Sequence, residues 1–163
     1  MPKYVLGARG HDYGKGNVKD IFSKMHDDGW CCTQLAFKKL VEGVKSYEDV
    51  TPELVKEVEA AMREVPMDVA VLGTYVEMGL MDEAKRQKEV SDFISQIAVC
   101  KALNIPCMGS ETTSIEKQPA GTTFADSQKQ LLKSLEAIMP EAERQGVIVA
   151  IEPVYYHALN TVE

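Results

Sequence analysis

The chain has 163 residues, with 18 Lys and Arg against 25 Asp and Glu, which gives a formal net charge of −7. Its composition, 45% hydrophobic and 26% charged, is that of a globular protein of one domain. The negative charge argues against nucleic acid and anionic membranes as partners. No apolar run approaches the ~18 residues of a membrane span, and the first residues do not resemble a signal peptide. We therefore expect a soluble, cytoplasmic protein.

Five short apolar runs divide the chain at regular intervals. Each is nearly continuous rather than strictly alternating, which is typical of strands buried on both faces of a parallel sheet. The runs predict strands at 4–7, 31–36, 69–73, 106–109 and 147–151.

The first two of the intervening helices have clear start signals. Asn17 is placed to cap a helix whose apolar positions begin at Val18. Thr51 and Pro52 supply a capping hydroxyl and a proline at the first helical position. These signals predict helices that start at 18 and 52.

Two longer helical patterns follow. The first, over about 82–103, predicts an inward face and an outward basic face that includes Arg86. The second contains Leu131 and Ile138, is placed to end at Gly146, and contains Pro140, which should kink or split it. All four cysteines are expected to be reduced and mostly buried, because their spacing fits no metal or redox motif.

The resulting order, βαβαβαβαβ, suits either an open sheet or a (β/α)8 barrel. A five-stranded flavodoxin-like sheet would bind its ligand near one switch point, after a phosphate-binding loop. No glycine-rich fingerprint follows the first strand, and all five predicted strands carry or lead into polar residues at the same end. This even distribution favours the barrel.

Several short segments, in order along the chain, resemble the xylose isomerase-like sugar phosphate isomerases and epimerases. The most specific is VAIEPV at 149–154, followed by His157, Asn160 and Thr161. Supporting segments are GHDYG at 10–14, QLA at 34–36, LGTY at 72–75 and GSET at 109–112.

This resemblance implies a TIM barrel, which typically needs about 250 residues. We therefore expect residues 1–163 to form a single partial TIM-barrel domain. It would contain strands one to five, with the fifth helix barely begun at Asn160 and Thr161, and would be truncated from a longer protein.

The resemblance also implies isomerisation or epimerisation of a small sugar or sugar phosphate through an enediolate. Such enzymes use a divalent metal (Mn, Mg, Co or Zn) as the electrophile. Glu152 matches the family's first metal-binding glutamate, which also serves as an acid/base. The other ligands would come from later strands, so the isolated chain is expected to have little activity. The substrate-binding candidates are His11, Gln34, Tyr75, Glu111 and His157.

Each candidate has a simpler structural explanation: Glu152 as a solvated strand-end acid, for example, or Gln34 as a hydrogen-bonding group inside the barrel. Two other functions also stay open. The first is a non-catalytic binding module that forms a homo-oligomer through its open strand edges. The second is a metal nuclease similar to endonuclease four, which three histidines and a charge of −7 disfavour.

Overall fold

The five strands form one sheet in the order β1-β2-β3-β4-β5 in a computed structural model that describes residues 4–161. The strands are β1 (Gly7–Arg9), β2 (Cys32–Leu35), β3 (Asp68–Gly73), β4 (Cys107–Glu111) and β5 (Ile148–Glu152). A flavodoxin-like sheet would have the order 2-1-3-4-5. The strictly sequential order therefore rejects the open doubly wound sheet and confirms the partial barrel.

The helices are α1 (Val18–Asp27), α2 (Phe37–Leu40), α3 (Pro52–Glu64), α4 (Glu83–Ala102) and α5 (Phe124–Gln145). Short 3-10 helices span Gly10–Tyr13, Tyr47–Asp49 and Ile115–Lys117. Among the described residues, no helix is long and apolar enough to cross a membrane. The sequence predicts a helix after the fifth strand that starts at 160–161. These two residues are the last that the structure describes, and they are not helical.

The predicted helix starts are confirmed. The Asn17 side chain accepts a hydrogen bond from the backbone N–H of Lys19 at 2.9 Å, and Thr51 Oγ1 accepts one from the N–H of Leu54 at 3.3 Å. Gly146 ends α5 with φ at +70°, a left-handed conformation that favours glycine. The helix continues through Pro140 without being split.

The first strand differs from its prediction. The structure places β1 at 7–9, and the apolar residues 4–6 before it are exposed. Gly7 pairs with Cys32, and a Cβ added at Gly7 would lie 2.4 Å from Cys32 Sγ. Glycine therefore allows the close approach that fixes the register of β1 on β2.

The last strand is also less buried than predicted. In β5, Ile148, Ala150 and Glu152 are exposed, and Val149 and Ile151 are half-buried. Because β5 has a partner strand on one side only, its apolar residues are not covered on both faces.

The chain forms two units. The first comprises residues 4–73 and 99–107. In it α1 packs against α3, and strands β1, β2 and β3 pair in parallel. Its fully buried side chains include those of Phe22, Met25, Leu35, Phe37 and Leu40.

The second unit comprises residues 74–98 and 108–161. Its buried side chains include those of Met78, Phe93, Ile97 and Ile138. Arg86 of α4 also belongs to this interior, with 2% of its surface exposed, so its prediction as an outward residue was wrong. Its Nη1 donates to Ser134 Oγ of α5 at 3.1 Å, and its Nη2 pairs with the carboxylate of Glu83 in the same helix. These two contacts compensate the burial of the guanidinium.

All four cysteines are free, as predicted, but only Cys100 is buried. Cys32 and Cys107 are half-buried, and Cys31 is exposed at the start of β2. The prediction that most of the thiols are buried was therefore wrong, because only one of the four is buried.

Candidate functional site

A cavity of about 290 Å³ lies in the second unit, where the loops after β3, β4 and β5 meet. Its walls come from three segments, 75–77, 111–117 and 156–157. The carboxyl ends of parallel strands are where α/β proteins place their sites. The lining residues are Tyr75, Val76, Glu77, Glu111, Thr112, Ser114, Glu116, Lys117, Tyr156 and His157.

Backbone hydrogen bonds hold the loops after β4 and β5 against each other. Ser114 and His157 form an antiparallel bridge. The N–H of Ile115 donates to the carbonyl of Tyr156 at 2.9 Å. The side chains of these two loops therefore extend from backbone that is held in place by hydrogen bonds.

The loop after β3 is tied to β4 by similar bonds. The N–H of Thr74 donates to the carbonyl of Gly109 at 2.8 Å, and the N–H of Val76 donates to Ser110 Oγ at 3.4 Å. Tyr75 and its neighbours thereby reach the same cavity as the residues that follow β4.

His157 is the most buried ionisable residue of the cavity wall, with 6% of its surface exposed. Its Nδ1 has no hydrogen-bond partner. The imidazole ring lies edge-on to the ring of Tyr156, with 4.7 Å between centroids. A buried polar atom without a partner is costly, so a hydrogen bond to this nitrogen would be favourable.

Three of the five predicted substrate-binding residues therefore line one cavity. Glu111 is the last residue of β4 and is half-buried, and Tyr75 stands two residues after β3, also half-buried. His157 reaches the cavity from the loop after β5. Their meeting follows from the parallel topology, which brings the ends of successive strands together.

Glu77 and Lys117 were not among the predicted site residues, yet both line the cavity. Lys117 Nζ donates to Glu77 Oε1 in an ion pair. The other oxygen, Glu77 Oε2, is buried without a hydrogen-bond partner. The hydrogen bond to Glu77 raises the pKa of Lys117, and the charges of Glu77, Glu111 and Glu89 act in the same direction. The polar residues after β3 were a signal for Glu77, whereas nothing in the sequence marked Lys117.

Glu152, the predicted acid/base and metal ligand, lies at the carboxyl end of β5. Its side chain is exposed, and it is not part of the cavity wall. The loop that follows Glu152 does contribute to the cavity, because its residues Tyr156 and His157 line the wall.

The other two candidates belong to the first unit. His11 lies in the 3-10 helix after β1 and is half-buried; burial, and then the charge of Lys39, lowers its pKa. Gln34 is a half-buried residue of β2, next to an irregularity in the β2–β3 pairing.

A larger open cleft of about 790 Å³ also lies in the first unit, between α1 and α3. Lys19 and Glu64 pair across it at 2.6 Å. The carboxylate of Asp49 accepts hydrogen bonds from the backbone N–H groups of Lys45 and Ser46. Because these charged groups are satisfied within the protein, the smaller cavity is the better candidate site.

Comparisons with known proteins agree with this architecture. A search of curated proteins finds no match. Solved structures match with low sequence identity, and several of them have sugar-epimerase names. For the E. coli 3-keto-D-glucoside 4-epimerase YcjR (apo form), the TM-score is 0.67 at 16% identity, covering 88% of this chain and 56% of that one. For D-psicose 3-epimerase in the presence of D-fructose, it is 0.72 at 14% identity, covering 95% and 55%.

A third structure, the IolI protein with a bound zinc atom, has a TM-score of 0.72 at 15% identity, with 94% of this chain and 54% of that chain covered. The chain thus spans about half the length of these structures. Residues 37–163 match the family model described as "Xylose isomerase-like TIM barrel". The protein therefore belongs to the xylose isomerase-like TIM barrel family.

Proposed function

We propose that the chain carries part of the sugar site of an isomerase or epimerase that moves a proton next to a carbonyl group. The observation that carries this proposal is the convergence of Tyr75, Glu111 and His157 on one cavity at the ends of the strands. The sugar-epimerase names of two structures with this fold support the choice of substrate. Because one fold can host many activities, the cavity's own groups must justify the proposal.

Those groups suit a polyhydroxy ligand. The Glu111 carboxylate can accept hydrogen bonds from sugar hydroxyls, and His157 Nδ1 can exchange one with a hydroxyl or carbonyl oxygen. Tyr75 and Tyr156 provide aromatic walls for the C–H faces of a sugar ring. A few placed polar groups beside apolar walls are typical of small-molecule sites.

In this proposal Glu152 is the acid/base, a role that rests on the family resemblance, because the residue lies at the exposed end of β5 and outside the cavity wall. Its carboxylate takes a proton from the carbon next to the carbonyl, and the electron pair moves to the carbonyl oxygen. Returning the proton to the former carbonyl carbon isomerises the sugar once the hydroxyl proton has passed from one enediolate oxygen to the other, whereas inversion requires return of the proton to the opposite face of the carbon that lost it. Hydrogen-bond donors near the oxygen stabilise the charge that develops there.

A divalent metal enters only as a proposal for the whole protein. The family resemblance implies one, and the IolI structure contains zinc. Within residues 4–161, no three His, Cys, Asp or Glu side chains are grouped so that they could hold a metal ion. The described residues therefore do not fit a metal by themselves, and no step above depends on one. Mn, Mg, Co and Zn remain the predicted choices.

We further propose that the 163-residue chain binds a sugar with little or no turnover, since it spans about half the length of the epimerases that share its fold. Cytoplasmic location and the lack of nucleic-acid and membrane partners remain predictions from the sequence.

The test combines binding and proton exchange. The ¹⁵N-labelled chain is titrated with D-fructose and D-tagatose, and shift changes are expected at Tyr75, Glu111 and His157. Deuterium incorporation next to the carbonyl is followed in D₂O, with and without manganese. Little exchange is expected from the chain alone. If the cavity residues show no shift change, the proposed site is wrong. Rapid deuterium exchange by the chain alone would overturn the proposal that it has little or no turnover.

A matched pair of variants tests the role of Glu152. Glu152→Gln should abolish any exchange that the wild-type chain shows, while preserving sugar binding. Glu143→Gln, on the exposed face of α5, should leave both unchanged. Loss of binding in Glu152→Gln, with binding kept in Glu143→Gln, would show that Glu152 is a binding group instead.

A second candidate function, a self-associating binding module, is favoured by exposed apolar residues near both edge strands. Tyr4, Val5 and Leu6 before β1 are 71%, 67% and 67% exposed, and Ile148 of β5 is 63% exposed. Unprotected edges of this kind can pair with another chain. Native mass spectrometry with and without manganese tests this: a discrete metal-free multiple of 18.0 kDa would support the module.

A further inference from the structure

We infer that the Glu77–Lys117 ion pair makes this cavity selective for an uncharged polyhydroxy sugar over a phosphorylated one. The inference rests on the proposed function, because it concerns the substrate class of the same cavity. It adds two specificity-determining residues that pair with each other in the cavity wall.

The ammonium of Lys117 is already engaged by the protein. Its Nζ donates to Glu77 Oε1, and the Glu111 and Glu89 carboxylates lie near enough to act on its charge. The backbone N–H of Glu77 donates to Glu89 Oε2 at 3.3 Å, which places Glu89 beside the pair. Three carboxylates therefore compensate this one cation, and little positive charge is left to attract a phosphate.

The charge balance of the cavity wall points the same way. Its carboxylates are Glu77, Glu111 and Glu116, and its one ammonium is that of Lys117. The lining contains no arginine, the side chain whose planar guanidinium binds phosphate with two hydrogen bonds. A phosphate dianion entering this cavity would meet a surplus of negative charge, and like charges brought together weaken binding.

A neutral sugar, in contrast, supplies what the cavity lacks. Glu77 Oε2 and His157 Nδ1 are both buried without partners. Sugar hydroxyls can donate to the carboxylate oxygen and can donate to or accept from the imidazole. Lys117 already engages the other Glu77 oxygen, so Oε2 is the oxygen of this carboxylate that is left for a ligand.

The test compares sugars that differ only in a phosphate group. D-Fructose, D-tagatose and the 1-phosphate of each are titrated into the ¹⁵N-labelled chain, and each Kd is taken from the shifts of cavity residues. We expect the phosphorylated sugars to bind about tenfold more weakly or worse. Added salt should narrow this difference, because it screens repulsion.

Three variants locate the effect. Glu77→Gln removes one carboxylate and frees Lys117. It should therefore bring the Kd values of the neutral and the phosphorylated sugar about tenfold closer, partly by weakening the binding of the neutral sugar. Lys117→Met should widen the difference. Glu143→Gln, an exposed change on α5, should leave the ratio as it is in the wild type.

The possible results separate this inference from the proposed function. Tighter binding of the phosphorylated sugars at the cavity would overturn the inference and leave a sugar site standing. An unchanged ratio in both Glu77→Gln and Lys117→Met would also overturn it. If no sugar of either kind shifts the cavity residues, the proposed function fails, and the inference fails with it.

Discussion

Glu77 and Lys117 form an ion pair between two loops, although 40 positions separate them in the chain. Glu77 follows β3, and Lys117 follows β4, the neighbouring strand. The lysine side chain is 61% exposed and the glutamate side chain 25% exposed. The pair thus stands where one partner reaches solvent and the other faces the cavity.

This exposure predicts that the pair contributes little to stability. Water screens the lysine, and exposed ion pairs are worth about 0–1 kcal/mol. Lys117→Met should therefore change the free energy of unfolding, measured in urea at pH 7, by less than about 1 kcal/mol. A much larger loss would mean that Lys117 is a structural residue and not a specificity residue.

A second prediction concerns the buried hydrogen-bond network around Ser134. Ser134 Oγ donates to the carbonyl of Met78 at 2.7 Å and accepts from Arg86 Nη1 at 3.1 Å. Ser134→Ala would leave both of these buried groups without that partner, so the free energy of unfolding should fall by about 1–3 kcal/mol. Chemical denaturation measures the change.

The matched control for this variant is Ser91→Ala on the exposed side of α4. The Ser91 side chain is exposed, so water surrounds its hydroxyl group. Its free energy of unfolding should change by no more than about 0.5 kcal/mol. Equal losses of unfolding free energy in the two variants would show that burial does not make the Arg86–Ser134 contact more stabilising than a surface contact.

A third prediction tests the close packing of the loop after β3. A Cβ added at Gly79 would lie 2.7 Å from Ser127 Oγ and 3.2 Å from both the Ser127 carbonyl oxygen and the Ala158 Cβ. Gly79→Ala should therefore destabilise the protein by about 1–3 kcal/mol. At Gly16 the added Cβ has only one neighbour, at 3.9 Å. A thermal denaturation scan should show a clear fall in Tm for Gly79→Ala and none comparable for Gly16→Ala.

The sequence predicted best those features that depend on neighbouring residues. Asn17 and Thr51 cap helices because their side chains reach N–H groups two or three residues away. Four of the five predicted strands overlap the observed ones closely, because each is a local apolar run. The placement of Tyr75, Glu111 and His157 at one cavity followed from topology, since all three stand at or after strand ends.

Features set by contacts distant in the chain were not predictable in this way. Arg86 has the charge of a surface residue, and the contact with Ser134 that helps to bury it comes from 48 positions later in the chain. Lys117 stands on a short 3-10 helix without apolar periodicity, so nothing marked it as a partner of Glu77. The exposure of β5 depends on its place at the edge of the sheet, which a run of apolar residues does not reveal.

The last prediction concerns the pH dependence of stability. Burial raises the pKa of the Cys100 thiol from 9.0 to about 12, so the folded state keeps this group protonated where the unfolded state ionises it. The stabilisation is fully present below pH 9 and is lost as the pH rises toward 12. Cys100→Ala should therefore reduce the fall in unfolding free energy between pH 8 and pH 10.5, although the variant is less stable at pH 8 because of the small cavity it creates. Cys31→Ser, at an exposed thiol, should retain the full fall in unfolding free energy over this pH range.

Iodoacetamide labelling at pH 8 provides an independent check: Cys31 should react in the folded protein, and Cys100 only after unfolding. Equal labelling rates for the two thiols in the folded protein would contradict the buried, protonated state of Cys100.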